Sequence, residues 1–120
     1  MPLDATPMPD LMLPTVRRLR QLIDCRWGKG MTGFCITVAL RTAVDEWRLS
    51  QWETFRLKIR SLWLLRRYVP RQHYGNWLSA KIHWPTAIIA FNDAPVTTKA
   101  DVLQFCKRII HDLETREARW

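Results

Sequence analysis

Apolar side chains recur at three- and four-residue intervals along most of the chain, which is the spacing of the buried face of a helix. The spacing predicts helices over residues 15–26, 34–47, 50–69 and 85–91, a short helical piece near 76–82, and a last helix that starts at Thr98. No run alternates apolar and polar residues with β-branched enrichment, so little or no sheet is expected. The pattern therefore predicts an all-α protein, a compact bundle of about five helices, counted from these periodic segments, with a central long helix at about residues 50–69.

The long helix has a clear start and an unusual distribution of apolar residues. Ser50 and Glu53 have the spacing of a capping box, as Thr98 and Asp101 have before the last helix, and Pro70 should end the long helix. Its apolar residues fill two sectors of a helical wheel, so neighbours are expected on both flanks. One sector holds Trp52, Phe55, Ile59, Leu62 and Val69, and the other holds Leu57, Leu64, Leu65 and Tyr68.

The length of 120 residues is that of one domain. We expect residues 1–13 to form an extended N-terminal lead and residues 14–120 to form a single helical domain. No stretch of about 18 uncharged apolar residues occurs, so no membrane span is expected. The first residues carry prolines and aspartates and no early basic cluster, which predicts a cytoplasmic protein without a secretory signal.

The chain is strongly basic, with 19 lysines and arginines, 11 acidic residues and a net charge of +8. Fourteen of the basic residues are arginines, whose planar guanidinium pairs bidentately with carboxylate and phosphate. The excess is concentrated in residues 17–30 and 61–81. These segments are expected to meet an acidic partner, either nucleic acid or an acidic protein surface, although a basic charge can also serve solubility alone.

A strip of arginines along the long helix is the main candidate surface. Arg56, Arg60 and Arg67 recur at helical spacing with Trp63 beside them. Tryptophan and arginine are enriched in binding hot spots, although an arginine can also stack on a tryptophan within one chain. The candidate partner-binding residues are Arg56, Arg60, Trp63, Arg66, Arg67 and Arg71. Most of the seven tryptophans are expected in the core, with Trp63, Trp77 and Trp84 as the candidates for exposure.

A second basic set lies near the start of the chain. Residues 28–33 match the pattern GxGxxG, but a helix precedes them where a dinucleotide site needs a strand, so no nucleotide cofactor is expected. Glycines before a helix can still leave amides that hold an anion, although an ordinary turn explains them as well. The residues expected to contact an anion or nucleic acid are Arg17, Arg18, Arg20, Arg26 and Lys29.

Catalytic and metal-binding patterns are weak. Cys25, Cys35 and Cys106 have no CxxC or short Cys–His spacing, which favours reduced thiols over disulfides or zinc. We expect no metal, no cofactor and no catalytic residue, hence a protein that is not an enzyme. An enzyme that uses Cys35 or the Asn92–Asp93 turn is the least supported alternative, because that turn suits backbone hydrogen bonding better than proton transfer.

Two segments resemble one known family. The first block is Ala-Phe-Asn-Asp-Ala-Pro at residues 90–95, followed by Thr98, Ala-Asp-Val-Leu at 100–103 and a long amphipathic helix. The second block lies upstream and consists of Leu-Ile at 22–23, then Trp27, Gly30, Gly33 and Cys35, then Ala-Leu at 39–40. Together the blocks resemble a family of short bacterial and phage proteins known only as a domain of unknown function. One departure is Val96, where the family often has a small turn residue. The resemblance covers about residues 19–46 and 86–113, and it implies a shared helical scaffold and a frequent phage or mobile-element origin, without an activity.

These features predict a non-catalytic interaction module that docks on a protein or nucleoprotein partner through an arginine and tryptophan surface. By analogy with other small proteins from phages and mobile elements, the specific form is an inhibitor of a bacterial defence complex, of the anti-CRISPR kind. The alternative is direct nucleic-acid binding through the basic segments, with an affinity that falls steeply with salt.

Overall fold

Five helices form in the part of the chain that the computed structural model describes, namely residues 10–29, 33–70 and 84–118, without the side chains of 84–86 and 117–118. They are α1 Met12–Arg26, α2 Ile36–Asp45, α3 Gln51–Tyr68, α4 Trp84–Asp93 and α5 Lys99–Ala118. Within these ranges the β pairing is a single bridge between Trp27 and Phe34. The prediction of an all-α bundle of about five helices is confirmed. The helical piece expected at 76–82, residues 1–9 of the expected lead, Arg71 and Trp77 lie outside the described residues.

The predicted capping box at Thr98 forms with both of its bonds, and the one at Ser50 forms with the serine bond alone. The Ser50 hydroxyl accepts a hydrogen bond from the Glu53 amide at 3.2 Å. At the start of α5, the Thr98 hydroxyl accepts from the Asp101 amide at 3.3 Å while the Asp101 carboxylate accepts from the Thr98 amide at 2.9 Å. Each bond satisfies an amide at the helix start that has no partner inside its helix. These two helix starts could therefore be predicted from the local sequence.

The start of α1 is earlier than the expected Thr15. The Met12 amide donates to the Asp10 carboxylate at 3.0 Å, and the helix begins at Met12. Met12 and Leu13 are buried, so the last two residues of the expected lead belong to the core. Burial of side chains of this size contributes about 1.5–3 kcal/mol each, which outweighs the absence of a helical signal before Pro14.

The core lies where α1 packs against α2 and α5, and where α3 packs against α2, α4 and α5. Every helix contributes apolar side chains to one continuous cluster. Its largest fully buried members are Leu19, Ile23, Ile36, Leu40, Leu65, Ile88 and Ile109. None of the described helices is long and apolar enough to cross a membrane.

The second apolar sector of α3 is covered only in part. The buried residues of α3 are Leu57, Ser61, Leu64 and Leu65, which lie in one sector of the helix. Trp52 and Phe55 from the other apolar sector are 65% and 55% exposed. The expectation that neighbours cover both sectors is therefore wrong at these two residues, because helical periodicity shows that a face is apolar and does not show what lies against it.

The turn between α1 and α2 is closed by a close backbone approach. The Phe34 amide donates to the Arg26 carbonyl at 2.7 Å and the Gly28 amide donates to the Phe34 carbonyl at 3.2 Å. A Cβ at Gly33 would lie 2.5 Å from the Arg26 oxygen, a distance too short for any side chain. Gly33 is thus needed for this contact, and the Gly28 and Phe34 amides are used within the protein.

Candidate partner-binding surface

The buried residues of α3 show which side of the helix faces away from the core. With Leu57, Ser61 and Leu65 directed inward, the opposite side of the helix carries aromatic residues and arginines together. We call this the arginine–tryptophan face, made of Trp52, Phe55, Arg56, Arg60, Trp63, Arg66 and Arg67. All of its members except Arg66, which is half-buried, are exposed.

Three aromatic rings contribute to this face. Trp52 and Phe55 stack with their ring centroids 6.0 Å apart and an interplanar angle of 23°. Trp63 is 42% exposed and follows Trp52 by about three helical turns, which places both indoles on the same side of α3. Exposed aromatic groups close to one another are typical of interaction sites, because isolated exposure of one apolar side chain is common and clustering is not.

Three arginines of the face, Arg56, Arg60 and Arg67, have at most one weak ion pair with the residues that the structure describes. Arg56 and Arg67 make no ion pair with any residue that the structure describes. The Arg60 guanidinium lies 3.7 Å from the Asp10 carboxylate, and both side chains are more than half exposed, so this pair is weak. The Arg66 guanidinium lies over the Trp63 ring at 5.3 Å from its centroid, a cation–π contact.

A cleft of about 370 Å³ adjoins the face on one side of α3. Its floor is apolar and its rim carries charges of both signs. The lining residues are Asp10, Leu11, Leu49, Glu53, Arg56, Leu57 and Arg60. A cleft of this composition can accept an apolar side chain while the guanidinium groups of Arg56 and Arg60 bind a neighbouring carboxylate.

The second basic set does not form one surface. Arg17 pairs with Glu114 at 2.9 Å, and Arg18 donates two hydrogen bonds to Glu46 at 2.8 and 3.0 Å. The hydrogen bond from Arg18 lowers the pKa of Glu46 and raises that of Arg18. Two of the expected contact residues are therefore already bound to carboxylates of the same chain.

The rest of that set is divided between two places. The Arg26 guanidinium lies over the Phe34 ring at 5.8 Å, and the Lys29 ammonium donates to the Ala94 and Pro95 carbonyls at 2.6 and 3.3 Å. Lys29 thus joins the first glycine turn to the turn between α4 and α5. Arg20 is exposed on α1 and faces a groove against α5.

The two segments that resemble one family meet at Asn92. Its Oδ1 accepts hydrogen bonds from the Trp27 indole at 2.7 Å and from the Ile36 amide at 3.1 Å. Its Nδ2 donates to the Gly28 carbonyl at 3.3 Å and to Asp93 Oδ1 at 3.0 Å. Asn92 is 1% exposed. Because all four hydrogen-bonding positions of the amide are used, its role in the fold is to join the first turn, the start of α2 and the end of α4.

The cysteines and the remaining titratable groups form no metal-binding cluster among the residues that the structure describes. Among the described residues no group of three or more His, Cys, Asp or Glu side chains could hold a metal ion. Cys35 Sγ lies 3.2 Å from the Thr37 hydroxyl, Cys25 is exposed, and burial raises the pKa of Cys106 to about 12. In the described structure, guanidinium groups and exposed aromatic rings are concentrated together on one side of α3.

The sequence identified the arginines and Trp63 but missed Trp52, Phe55 and the adjoining cleft. The sequence did contain a signal for Trp52, because this residue precedes Trp63 by about three full helical turns and therefore lies on the same side of the helix. The cleft had no local signal, since it forms where residues 10 and 11 lie beside α3.

The model of a family described as a family of unknown function (DUF6197) matches residues 13–112. The match spans α1 to α4 and most of α5, including both segments that meet at Asn92. No curated protein and no solved structure is a match to the chain.

Proposed function

We propose that this chain, which belongs to the DUF6197 family, is a non-catalytic interaction module that docks on a protein or nucleoprotein partner through its arginine–tryptophan face. The observation that carries the proposal is the coincidence, on one open side of α3, of three exposed aromatic rings with guanidinium groups that have few or no internal partners. Such a side of a helix combines the two residue types that contribute most to binding hot spots.

The aromatic rings supply part of the apolar surface that a specific contact needs. Side chains of this kind bury about 150–250 Å² each, and Trp52, Phe55 and Trp63 are 65%, 55% and 42% exposed. A partner that covered them would remove about 300 Å² of apolar surface from water. At about 25 cal/mol/Å² this contributes about 7 kcal/mol before the cost of association.

The arginines supply selectivity for an acidic surface. Arg56, Arg60 and Arg67 lie along one edge of the rings, so carboxylates or phosphates of a partner would meet them while its apolar groups cover the indoles. The most specific form of the proposal is an inhibitor of a bacterial defence complex from a phage or mobile element, of the anti-CRISPR kind. The resemblance of the two sequence blocks and the analogy with other small proteins support that form.

The test compares two charge-reversal pairs after the partner has been isolated by co-purification from the source cells. Arg56→Glu with Arg67→Glu alters the face, and Arg20→Glu with Lys107→Glu makes the same charge change on exposed residues of α1 and α5. Titration calorimetry is expected to show an affinity loss of at least about tenfold for the first pair, since each lost charge contact is worth about 1 kcal/mol, and little change for the second. Equal affinities for the two pairs would remove the face from the proposal.

Direct nucleic-acid binding is the second candidate, because exposed rings interleaved with cations also suit stacking on single-stranded bases. It uses the arginine–tryptophan face more than α1, where Arg17 and Arg18 are held by Glu114 and Glu46. Fluorescence anisotropy with labelled single-stranded and duplex DNA at two salt concentrations tests it. Nucleic-acid binding predicts an affinity that falls steeply with salt, and no binding at low salt refutes it.

A further inference from the structure

A groove between α1 and α5 carries cationic side chains that are not part of the proposed docking surface. The two helices run antiparallel, because Arg17 near the start of α1 pairs with Glu114 near the end of α5, while Asp24 on α1 lies 3.5 Å from Lys99. The groove has a volume of about 550 Å³. Neither helix contributes a residue to the arginine–tryptophan face.

The charges along the groove are arranged in three zones. At each end a carboxylate of the groove is already paired, Glu114 with Arg17 and Asp24 with Lys99. Between these pairs lie Arg20 and Lys107, which have no ion pair or hydrogen bond from their side chains with any described residue. The centre of the groove is therefore positive, with the carboxylates at its ends held by other cations.

The donors in this central zone suit a tetrahedral anion. Arg20 presents the planar fork that binds two oxygens at once, Lys107 presents an ammonium, and His111 lines the same wall of α5 one turn further along. Residues 107, 110, 111 and 114 recur at three- and four-residue steps and so present one side of α5 to α1, as residues 17, 20, 21 and 24 do on α1.

We propose that this α1–α5 groove is a binding site for a phosphate monoester, whose dianionic head lies between Arg20 and Lys107 with His111 as a further donor. The groove leaves space beyond the phosphate for the group that carries it. The site is independent of the docking surface on α3, so either can fail without the other.

The test is a titration of the whole chain, labelled with ¹⁵N, followed by amide chemical shifts. The probes are inorganic phosphate, adenosine monophosphate and O-phosphoserine, each at an ionic strength held constant with chloride. Saturable shifts around residues 20, 107 and 111 are expected with all three probes, and tighter binding of one identifies the group attached to the phosphate. Shifts that do not saturate, or that sodium chloride alone reproduces, overturn the proposal.

Variants that remove positive or negative charges distinguish binding at this groove from a general effect of the protein's net charge. Arg20→Gln with Lys107→Gln is expected to weaken phosphate binding by at least about 25-fold, since loss of one unit charge at about 4 Å from even a single negative charge in water corresponds to about fivefold. Glu114→Gln removes a carboxylate from the end of the groove and frees Arg17, and is expected to strengthen binding by up to about fivefold. The control, Arg56→Gln with Arg67→Gln, makes the same net charge change on α3 and should leave the affinity unchanged. An equal loss in the control, or weaker binding in Glu114→Gln, refutes the site.

Discussion

Replacement of Asn92 by alanine tests how the two turns and the start of α2 are held together. The substitution removes an amide that is 1% exposed and makes four hydrogen bonds. The Ile36 amide and the Gly28 carbonyl lose buried partners, and the Trp27 indole loses a partner in a half-buried position. The change also leaves a small cavity at the end of α4.

The expected loss of stability follows from those orphaned groups. A buried donor or acceptor without a partner costs about 1–3 kcal/mol, so two such groups and a half-buried third cost about 3–5 kcal/mol. Native domains of this kind are stable by about 5–15 kcal/mol in total. Asn92→Ala should therefore remove a large fraction of the free energy of unfolding.

Urea unfolding followed by circular dichroism measures this loss. Asn92→Asp keeps the shape and the acceptor oxygen, but its second oxygen cannot donate and faces the Gly28 carbonyl and Asp93, so this variant should also be destabilised. Gln104→Ala, which removes an exposed amide from α5, should change stability by less than about 0.5 kcal/mol. A loss below about 1 kcal/mol for Asn92→Ala would refute the reasoning.

Three further predictions concern single contacts. Gly33→Ala should lower the free energy of unfolding by about 2 kcal/mol or more, because the new Cβ would lie 2.5 Å from the Arg26 oxygen; an unchanged urea midpoint would contradict this. Glu46 has a lowered pKa, so its pairing with Arg18 stabilises the fold above the ordinary carboxyl range and is lost as pH falls through the folded pKa. Glu46→Gln should accordingly flatten the fall in melting temperature on acidification, and a parallel pH profile would oppose it. Cys106 is buried with a pKa of about 12, so in a variant with Cys25→Ser and Cys35→Ser Ellman's reagent should react only after unfolding, and fast labelling of that native variant would be inconsistent with the fold.

Local chemistry explains why some elements could be predicted from the sequence. The caps of α3 and α5 each depend on two residues three positions apart, and both form as expected. The hydrogen bond at the start of α2 could not be predicted in this way, because the Ile36 amide donates to Asn92, which lies 56 positions further along the chain. No pattern near Cys35 and Ile36 carries that information.

The candidate surface could likewise be predicted from the sequence only in part. Helical spacing places Arg56, Arg60 and Trp63 together, and the structure leaves them exposed. The spacing cannot show that Trp52 lacks a covering helix, nor that Arg17 finds Glu114 at a separation of 97 residues. Both features depend on how the helices pack against one another. Helix packing therefore decides which arginines and lysines are paired with carboxylates of the same chain.

Hydroxyl-radical footprinting of the chain alone and in complex with its partner tests the proposed docking surface most directly. Trp52 and Trp63 are exposed on α3, while Trp47 is exposed at the end of α2 and serves as an internal reference. We expect the partner to slow oxidation of Trp52, Phe55 and Trp63 and to leave that of Trp47 unchanged. Equal oxidation of Trp52 and Trp63 in the free and bound chain would contradict it.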